Sequence, residues 1–428
     1  MADFDAIVVG SGCAGPVAAH ELAKAEKSVL VIERGTYAGA KNMTGGRIYS
    51  HSLREVFPDF EGTAPLERRI VREGISMITP DAGLTVGFGS SQMTQEGQAS
   101  YSVLRGPFDQ WLAAQAEAAG AEYICGIAVE RLLVKDGRVC GVIAGEDEIS
   151  AEAVLLCDGA NSLLTEQAVG FARPEPSAMA VGVKQVIELA PSLIEERFLL
   201  GEGDGAAWLF VGDATKGHVG GGFLYTNRGS VSLGLVATIS DLARAHVPIC
   251  QMLEDLKAHP VVAPLVKGGK VVEHSGHMVP EGGFDAMPDL VGEGVLLAGD
   301  SAMMCLNLGY MVRGMDYAVA AGMHAGRSVA AALDARDTSK AGLGCYVDAL
   351  AESFVLKDLR QFRRFPHFME STTRLFDEYP RLARDVMNTL FIVDGKPVQP
   401  LRRSLMPLVK RVGIVNLLKD VRGGMKAL

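Results

Sequence analysis

A 428-residue chain exceeds what one hydrophobic core usually organises, and with 48% hydrophobic and 21% charged residues it reads as globular, so two or three structural units are expected. Its net charge of −10 hides an asymmetry, because residues 401–428 hold seven Lys or Arg against one acid, Asp420, leaving 34 basic and 50 acidic residues in the body. That acidic body argues against nucleic acid as a partner, since duplex affinity rests on an extended basic face, and no stretch approaches the 18 consecutive apolar residues of a spanning helix.

The seven cysteines, at positions 13, 125, 140, 157, 250, 305 and 345, form no CxxC pair and no metal-ligand spacing. An odd, scattered set points to a reducing compartment rather than a disulfide framework. Met1 leads straight into the first apolar run without room for a cleavable signal, so a cytoplasmic location is expected.

The first elements lie in "IVVGSGCAGPVAAHELAKAEKSVLVIERG", Ile7 to Gly35. Ile7 to Val9 suit a buried parallel strand, and Val17 to Ala25 is Ala-rich and periodic like a helix. Gly10 permits a tight turn between them, Gly12 lets backbone approach a pyrophosphate, and Gly15 lets the helix pack close to the strand. A second strand, Ser28 to Ile32, ends at Glu33, an acid about 20 residues on that suits a ribose hydroxyl. Strand, glycines, helix, strand and acid together predict dinucleotide binding, with phosphates on the helix N-terminus.

Further on, Ser100 to Ile124 predicts a short strand, a turn at Gly106 and Pro107, and an Ala-rich helix stopped by Gly120. Residues 127–162 predict a small antiparallel meander with a hairpin at Asp136-Gly137, returning to the main sheet and ending in the turn Asp158-Gly159-Ala160-Asn161. Between Ala178 and Pro280 lie alternating apolar runs and the triplet Gly220-Gly221-Gly222, read as a separate, largely antiparallel unit. His274 and His277 have HxxH spacing in this strand-like run, which favours surface histidines over a metal pair. Asp289 to Leu333 then predicts a buried strand, the pair Gly299-Asp300, a Gly-bearing loop and a long helix. A nicotinamide enzyme does not need this second glycine-acid loop. Flavin proteins do, because ribityl chain and pyrophosphate extend past the first turn.

The stretches "GSGCAGPVAAHELAKAEKSVLVIERG", "RGPFDQWLAAQAEAAGA", "LLCDGANS" and "VLLAGDSAMMCLNLGYMVRGMDYAVAAG" resemble glutathione-reductase-type flavoproteins of the hydroxylase-like branch. More narrowly, "AGAKNMTGGRIYSHSL", "GGGFLYTN" and "GYMVRGMDYA" resemble the FixC family, bacterial relatives of electron-transfer-flavoprotein:quinone oxidoreductase, over nearly the whole chain. The fold so implied is α/β: a discontinuous Rossmann-like FAD-binding domain (1–75, 100–177 and 285–335), an inserted largely antiparallel β domain for substrate or quinone (76–99 and 178–284), and a C-terminal helical region with the basic tail (336–428). The implied cofactor is FAD, the donor an electron-transfer flavoprotein, and the acceptor quinone, in a setting such as nitrogen fixation.

Carried over by residue, the resemblance implies phosphate contacts at Gly10, Gly12 and Gly15, an adenosine-ribose acid at Glu33, and Arg34 beside the adenine. Arg105 would reach the pyrophosphate with its planar fork of donors. Asp300 would accept from ribityl hydroxyls, and it could equally cap the next helix. Asp158 could bind or merely organise its turn. "KNMTGGR" (Lys41 to Arg47, with Thr44, Gly45 and Gly46 as donors) and "NLGYMVRG" (Asn307 to Gly314) are expected against the isoalloxazine ring, where donors raise the flavin potential. Cys13, Ala14, Val129, Gly159, Gly299, Gly309, Met311 and Val312 complete the expected cofactor set. No metal site and no catalytic triad are expected, since the cofactor carries the chemistry.

Mitochondrial relatives carry a Cys-rich cluster domain at this end, but no cysteine follows Cys345 here, so a separate ferredoxin-like subunit is implied. Three other readings stay open: an isoprenoid reductase resembling geranylgeranyl reductases, which bound lipid would favour; a flavin monooxygenase, which NADPH oxidation in oxygen would favour; and a structural subunit, which redox-silent flavin would favour. The tail interleaves leucines with cations, fitting a lipid interface, an acidic partner or a core helix, although Pro407 and Gly413 interrupt a continuous helix. Peripheral contact with the inner face of the cell membrane is the expectation for a complex that reduces a lipid-soluble quinone.

Overall fold

The β-branched run before Gly10 forms the strand Phe4–Val9, whose last four residues are buried because parallel strands flank it on both sides. One neighbour is Val29–Glu33, reached through the helix Gly15–Lys24, and the other is Asp147–Leu156. Val295–Leu297 and Glu122–Cys125 extend the parallel sheet outward on either side. The computed structural model describes residues 2–41 and 46–428. In such a sheet, ligands bind where loops leave the carboxyl ends of the strands.

Asp147–Leu156 has two sets of neighbours. Its first residues pair antiparallel with Arg138–Ala144, and its last residues pair parallel with Phe4–Val9. The hairpin joining Val129–Lys135 to Arg138–Ala144 turns at Asp136 and Gly137, both with positive φ, as the sequence predicts. The helix after Ser100–Val103 begins earlier than expected. It runs from Arg105 to Ala119, so Gly106 and Pro107 form its first turn rather than a separate one. Proline is tolerated there because first-turn N–H groups have no intrahelical acceptor.

The second sheet orders Lys270–Pro280, Met179–Glu188, Ser230–Thr238, Gly220–Thr226, Asp204–Gly212, Leu66–Thr79, Ser100–Val103 and Arg47–Tyr49, with Ala82–Gly89 on the edge of Leu66–Thr79. Its pairs are antiparallel except for Asp204–Gly212 on Leu66–Thr79, which are parallel. Phe210, Leu224, Leu233 and Leu235 point into a core completed by the helix Ile249–Ala258, while Leu209, Val211, Phe223 and Tyr225 alternate toward a cavity facing the first sheet. Sheet membership cuts across the expected division at 75/76, because Leu66–Thr79 is one 14-residue strand of the second sheet. Arg47–Tyr49 and Ser100–Val103 belong to that sheet too, although the expected bounds placed both in the first domain. Pairing partners far away in sequence decide this, and local pattern does not record them.

The 20-residue helix Met315–Asp334 lies against Gly15–Lys24 at backbone distance. A Cβ on Gly322 would come within 2.2 Å of the Ala14 carbonyl oxygen, and one on Gly326 within 2.5 Å of the Ala18 carbonyl oxygen. Helices Gly344–Glu352, Phe354–Gln361 and Phe365–Ser371 pack on the main core through residues such as Tyr346, Leu359 and Phe365, and Glu378–Phe391, Leu401–Val412 and Ile414–Ala427 follow. Gly322→Ala is therefore expected to cost about 1–3 kcal/mol by overpacking, seen as a lowered melting temperature. Gly344→Ala, which has nothing within 4 Å, is the control and should melt like the parent.

Candidate functional site

A cavity of about 900 Å³ runs from the carboxyl edge of the parallel sheet to the inner face of the second sheet. At the first end its wall is the loop Gly10, Gly12, Cys13 and Ala14. Gly10 sits at φ +98° with its ideal Cβ position 2.5 Å from the Cys157 carbonyl oxygen, so only glycine makes this turn. Gly15 lies beneath the wall rather than on it, and a Cβ there would be 2.0 Å from the Gly10 carbonyl oxygen. Ala14 offers no side-chain cap to the helix it begins, which leaves first-turn N–H groups at the cavity for an anion.

Glu33 is buried at the end of its strand. Its carboxylate accepts the Ser11 N–H at 2.8 Å and the Gly35 N–H at 2.6 Å, which fixes the acid beside the glycine loop. Arg34 and Lys41 line the same end and are exposed, while Val129 and Gly159 stand across from the loop. Burial pushes the Asp158 carboxyl up to about 6, and its Oδ1 is buried without a partner, the signature of an acid awaiting a donor.

Arg105 also lines the cavity, held by Asp109 one helical turn on: Nε donates to Oδ1 at 2.9 Å and Nη2 to Oδ2 at 2.8 Å. Burial works against its charge, but Asp109, Cys13 and Asp300 together raise the Arg105 pKa. Gly299 (φ +74°) and Asp300 form the turn Gly299–Ala302 at the next strand end. Burial raises the Asp300 pKa, while the His277 and Arg105 charges act to lower it.

Toward the second sheet, Gly46 lies against Tyr225, whose ring would be 2.7 Å from a Cβ at that position. Thr44 and Gly45, expected beside it, lie outside the described residues. Gly309 and Val312 line the cavity from the hairpin Leu306–Asn307 and Val312–Arg313, whereas Met311 packs toward the main core and its carbonyl accepts the Leu308 N–H. Arg313 anchors this hairpin by donating to Asp316 (2.8 Å from Nε) and Asp358 (2.9 Å from Nη1).

Sequence reasoning missed Glu281 on this wall and Asp109 buried behind it, and it read His277, which lines the wall, as a surface histidine. Asp109 carried a signal in its i+4 spacing from Arg105 on a predicted helix. Glu281 is a lone acid in a loop and carried none. His274 and His277 stand three residues apart on a strand and so point to opposite faces, His277 lining the cavity and His274 meeting Gln185.

A family model described as the ETF-QO/FixC family C-terminal domain matches residues 365–428, and one described as an NAD(P)-binding Rossmann-like domain matches residues 8–62. Among solved structures, a geranylgeranyl bacteriochlorophyll reductase-like protein from Thermoplasma acidophilum superposes with a TM-score of 0.72, covering 96% of this chain and 98% of that one, at 18% identity. That likeness shows the fold. The chain is also 49% identical, over 99% of both chains, to the probable electron transfer flavoprotein-quinone oxidoreductase YdiS of Escherichia coli K12, and equally to Protein FixC of the same strain. Likeness of this extent decides the family: the chain belongs to the FixC and electron transfer flavoprotein-quinone oxidoreductase family.

Proposed function

We propose that this chain is an FAD-dependent oxidoreductase that accepts electrons from an electron-transfer flavoprotein and passes them to quinone, with a separate ferredoxin-like subunit. The observation that carries the reading is one continuous cavity, polar and glycine-lined at the sheet edge and walled by Leu209, Val211, Phe223 and the Gly220–Gly222 backbone at its other end. Gly10, Gly12 and the helix start suit a pyrophosphate, Glu33 a ribose, and Asp300 a ribityl hydroxyl. The unpartnered Asp158 Oδ1 offers a further acceptor. When bound, FAD supplies the electron uptake and release; the chain orients it, excludes water and sets the charge around it. Arg105, locked by Asp109, supplies a fixed cation at the wall.

The name of the YdiS relative joins the flavoprotein donor to quinone, and this chain matches it over 99% of its length. Residues 346–428 contain no cysteine, so that stretch cannot bind a four-cysteine cluster, which supports an external subunit as its source. Membrane contact is supported by the C-terminal surface. Phe391, Ile392, Val393, Val415, Leu418 and Met425 are exposed there, with Lys419, Arg422 and Lys426 beside the last three in the helix Ile414–Ala427. Among the described residues, no helix is long and apolar enough to cross a membrane.

Three outcomes are expected. Gly12→Val should purify as apoprotein while the parent carries one FAD, measured by absorbance of released flavin; a fully flavinated variant contradicts the placement. Anaerobic reduction by an electron-transfer flavoprotein followed by quinone should cycle the flavin spectrum only when the partner subunits are present. Efficient turnover of the isolated chain by NADPH in oxygen, or saturation of an isoprenoid double bond, overturns this reading. The assembled complex should co-sediment with anionic vesicles at low salt and lose most binding on deletion of residues 401–428; equal binding removes the tail from the mechanism.

A further inference from the structure

One carboxyl of the cavity wall, Glu281, is given no role by the reading above. Glu281 follows the strand Lys270–Pro280, its N–H donates to the Ala178 carbonyl at 2.8 Å, and its side chain lines the cavity. Asn307 Nδ2 donates to its two oxygens at 3.0 and 3.3 Å. Asn307 is itself held, because its Oδ1 accepts the Gly309 N–H at 2.8 Å. A flipped amide would lose that bond, so Asn307 offers Glu281 donor hydrogens alone.

This arrangement has a chemical consequence. When Glu281 is protonated, its own hydrogen finds no acceptor on Asn307 and is left to point into the cavity. Burial pushes the carboxyl up to about 7, against the lowering effect of the Asn307 bond, so both protonation states are populated near neutral pH. The Glu281 charge acts on the Cys305 thiol, and Asp300 and His277 line the same cavity. The Asp285–Arg363 pair at 2.5 Å, with His367 and Glu370 on the helix Phe365–Ser371, also lines the cavity.

We propose that Glu281 is the proton donor for quinone reduction in this cavity, with Asn307 as its positioning residue. The inference rests on the quinone reading above. As a quinone carbonyl oxygen takes up electrons from the reduced cofactor, the Glu281 O–H bond breaks and a new O–H bond forms on that oxygen. The carboxylate left behind recovers a proton from cavity water. The second proton of the quinol comes from solvent.

The test uses the full-length flavinated chain, assembled with its partner subunits, as parent, Glu281→Gln and Asn307→Ala. Before any turnover, infrared pH titration should show a protonated-carboxyl band in the parent that disappears near pH 7, is missing in Glu281→Gln, and persists to higher pH in Asn307→Ala, which lacks the bond favouring the carboxylate. Stopped-flow oxidation of dithionite-reduced protein by a short-chain quinone should slow in the parent as pH rises through about 7, because the acid form is the donor. Glu281→Gln should be slower by about 10²-fold or more and flat with pH. A parent that quinone does not oxidise overturns the quinone reading together with this one. A parent that is oxidised, with Glu281→Gln matching its rate and profile, overturns the donor role alone. Should Glu281→Gln fail to hold flavin, an Asn307→Ala band and rate profile identical to the parent's overturn it instead.

Discussion

The cavity exists in this form because two helices meet with almost no side chain between them. The carbonyls of Ala14 and Ala18, at the start of the helix Gly15–Lys24, face Gly322 and Gly326 on Met315–Asp334 at distances that leave no room for a methyl group. Ala14 also ends the first glycine loop, and its Cβ lies 3.2 Å from the position a Cβ would take on Gly299. A single contact thus ties the first glycine loop to a second glycine-acid loop nearly 290 residues away in sequence. Interiors packed at this density have discrete arrangements rather than a continuum, so the two halves of the site have one relative position.

Given that frame, charge sets what each wall can do. The cavity buries several acids, and each has a different answer to the cost of desolvation. Glu33 is met by two backbone N–H groups, and Asp109 by the bidentate Arg105. Asp300 has only the more distant influence of Arg105 and His277, and Asp158 retains a buried oxygen without a partner. Unsatisfied buried acids are unfavourable for the empty fold, and they are retained where a ligand supplies the missing donors.

The first βαβ unit was legible because its signal is local: Ile7 to Val9, the three glycines and Glu33 lie within 30 residues, a spacing that can be read without knowing what each glycine packs against. The second glycine-acid loop was legible for the same reason. What local pattern could not reveal was partnership. Leu66–Thr79 reads as a strand, but nothing in its residues says that it pairs in parallel with Asp204–Gly212 and leaves the first sheet. Arg105 was visible as a cation, whereas its orientation depends on Asp109. Met311 belongs to a motif whose neighbours line the cavity, yet the hairpin turns its side chain toward the core.

The C-terminal helices show the opposite relation between pattern and partner. Gly413, at φ +90°, separates Leu401–Val412 from Ile414–Ala427, while Pro407 stays inside the first of these. The inward face of the last helix is tied down: Asp420 accepts from Arg374 at 2.7 Å and from the Tyr379 hydroxyl at 2.6 Å, and Gly423 and Gly424 lie against the ring of Phe368. Its outward face carries Val415, Leu418, Val421 and Met425, all exposed. A helix this firmly anchored on one side does not need those residues for its own folding, and a contiguous apolar stripe is unusual on a surface that faces only water. The anchoring thus holds the stripe and its flanking cations in a fixed plane, which is the geometry an interfacial surface requires and a core helix does not.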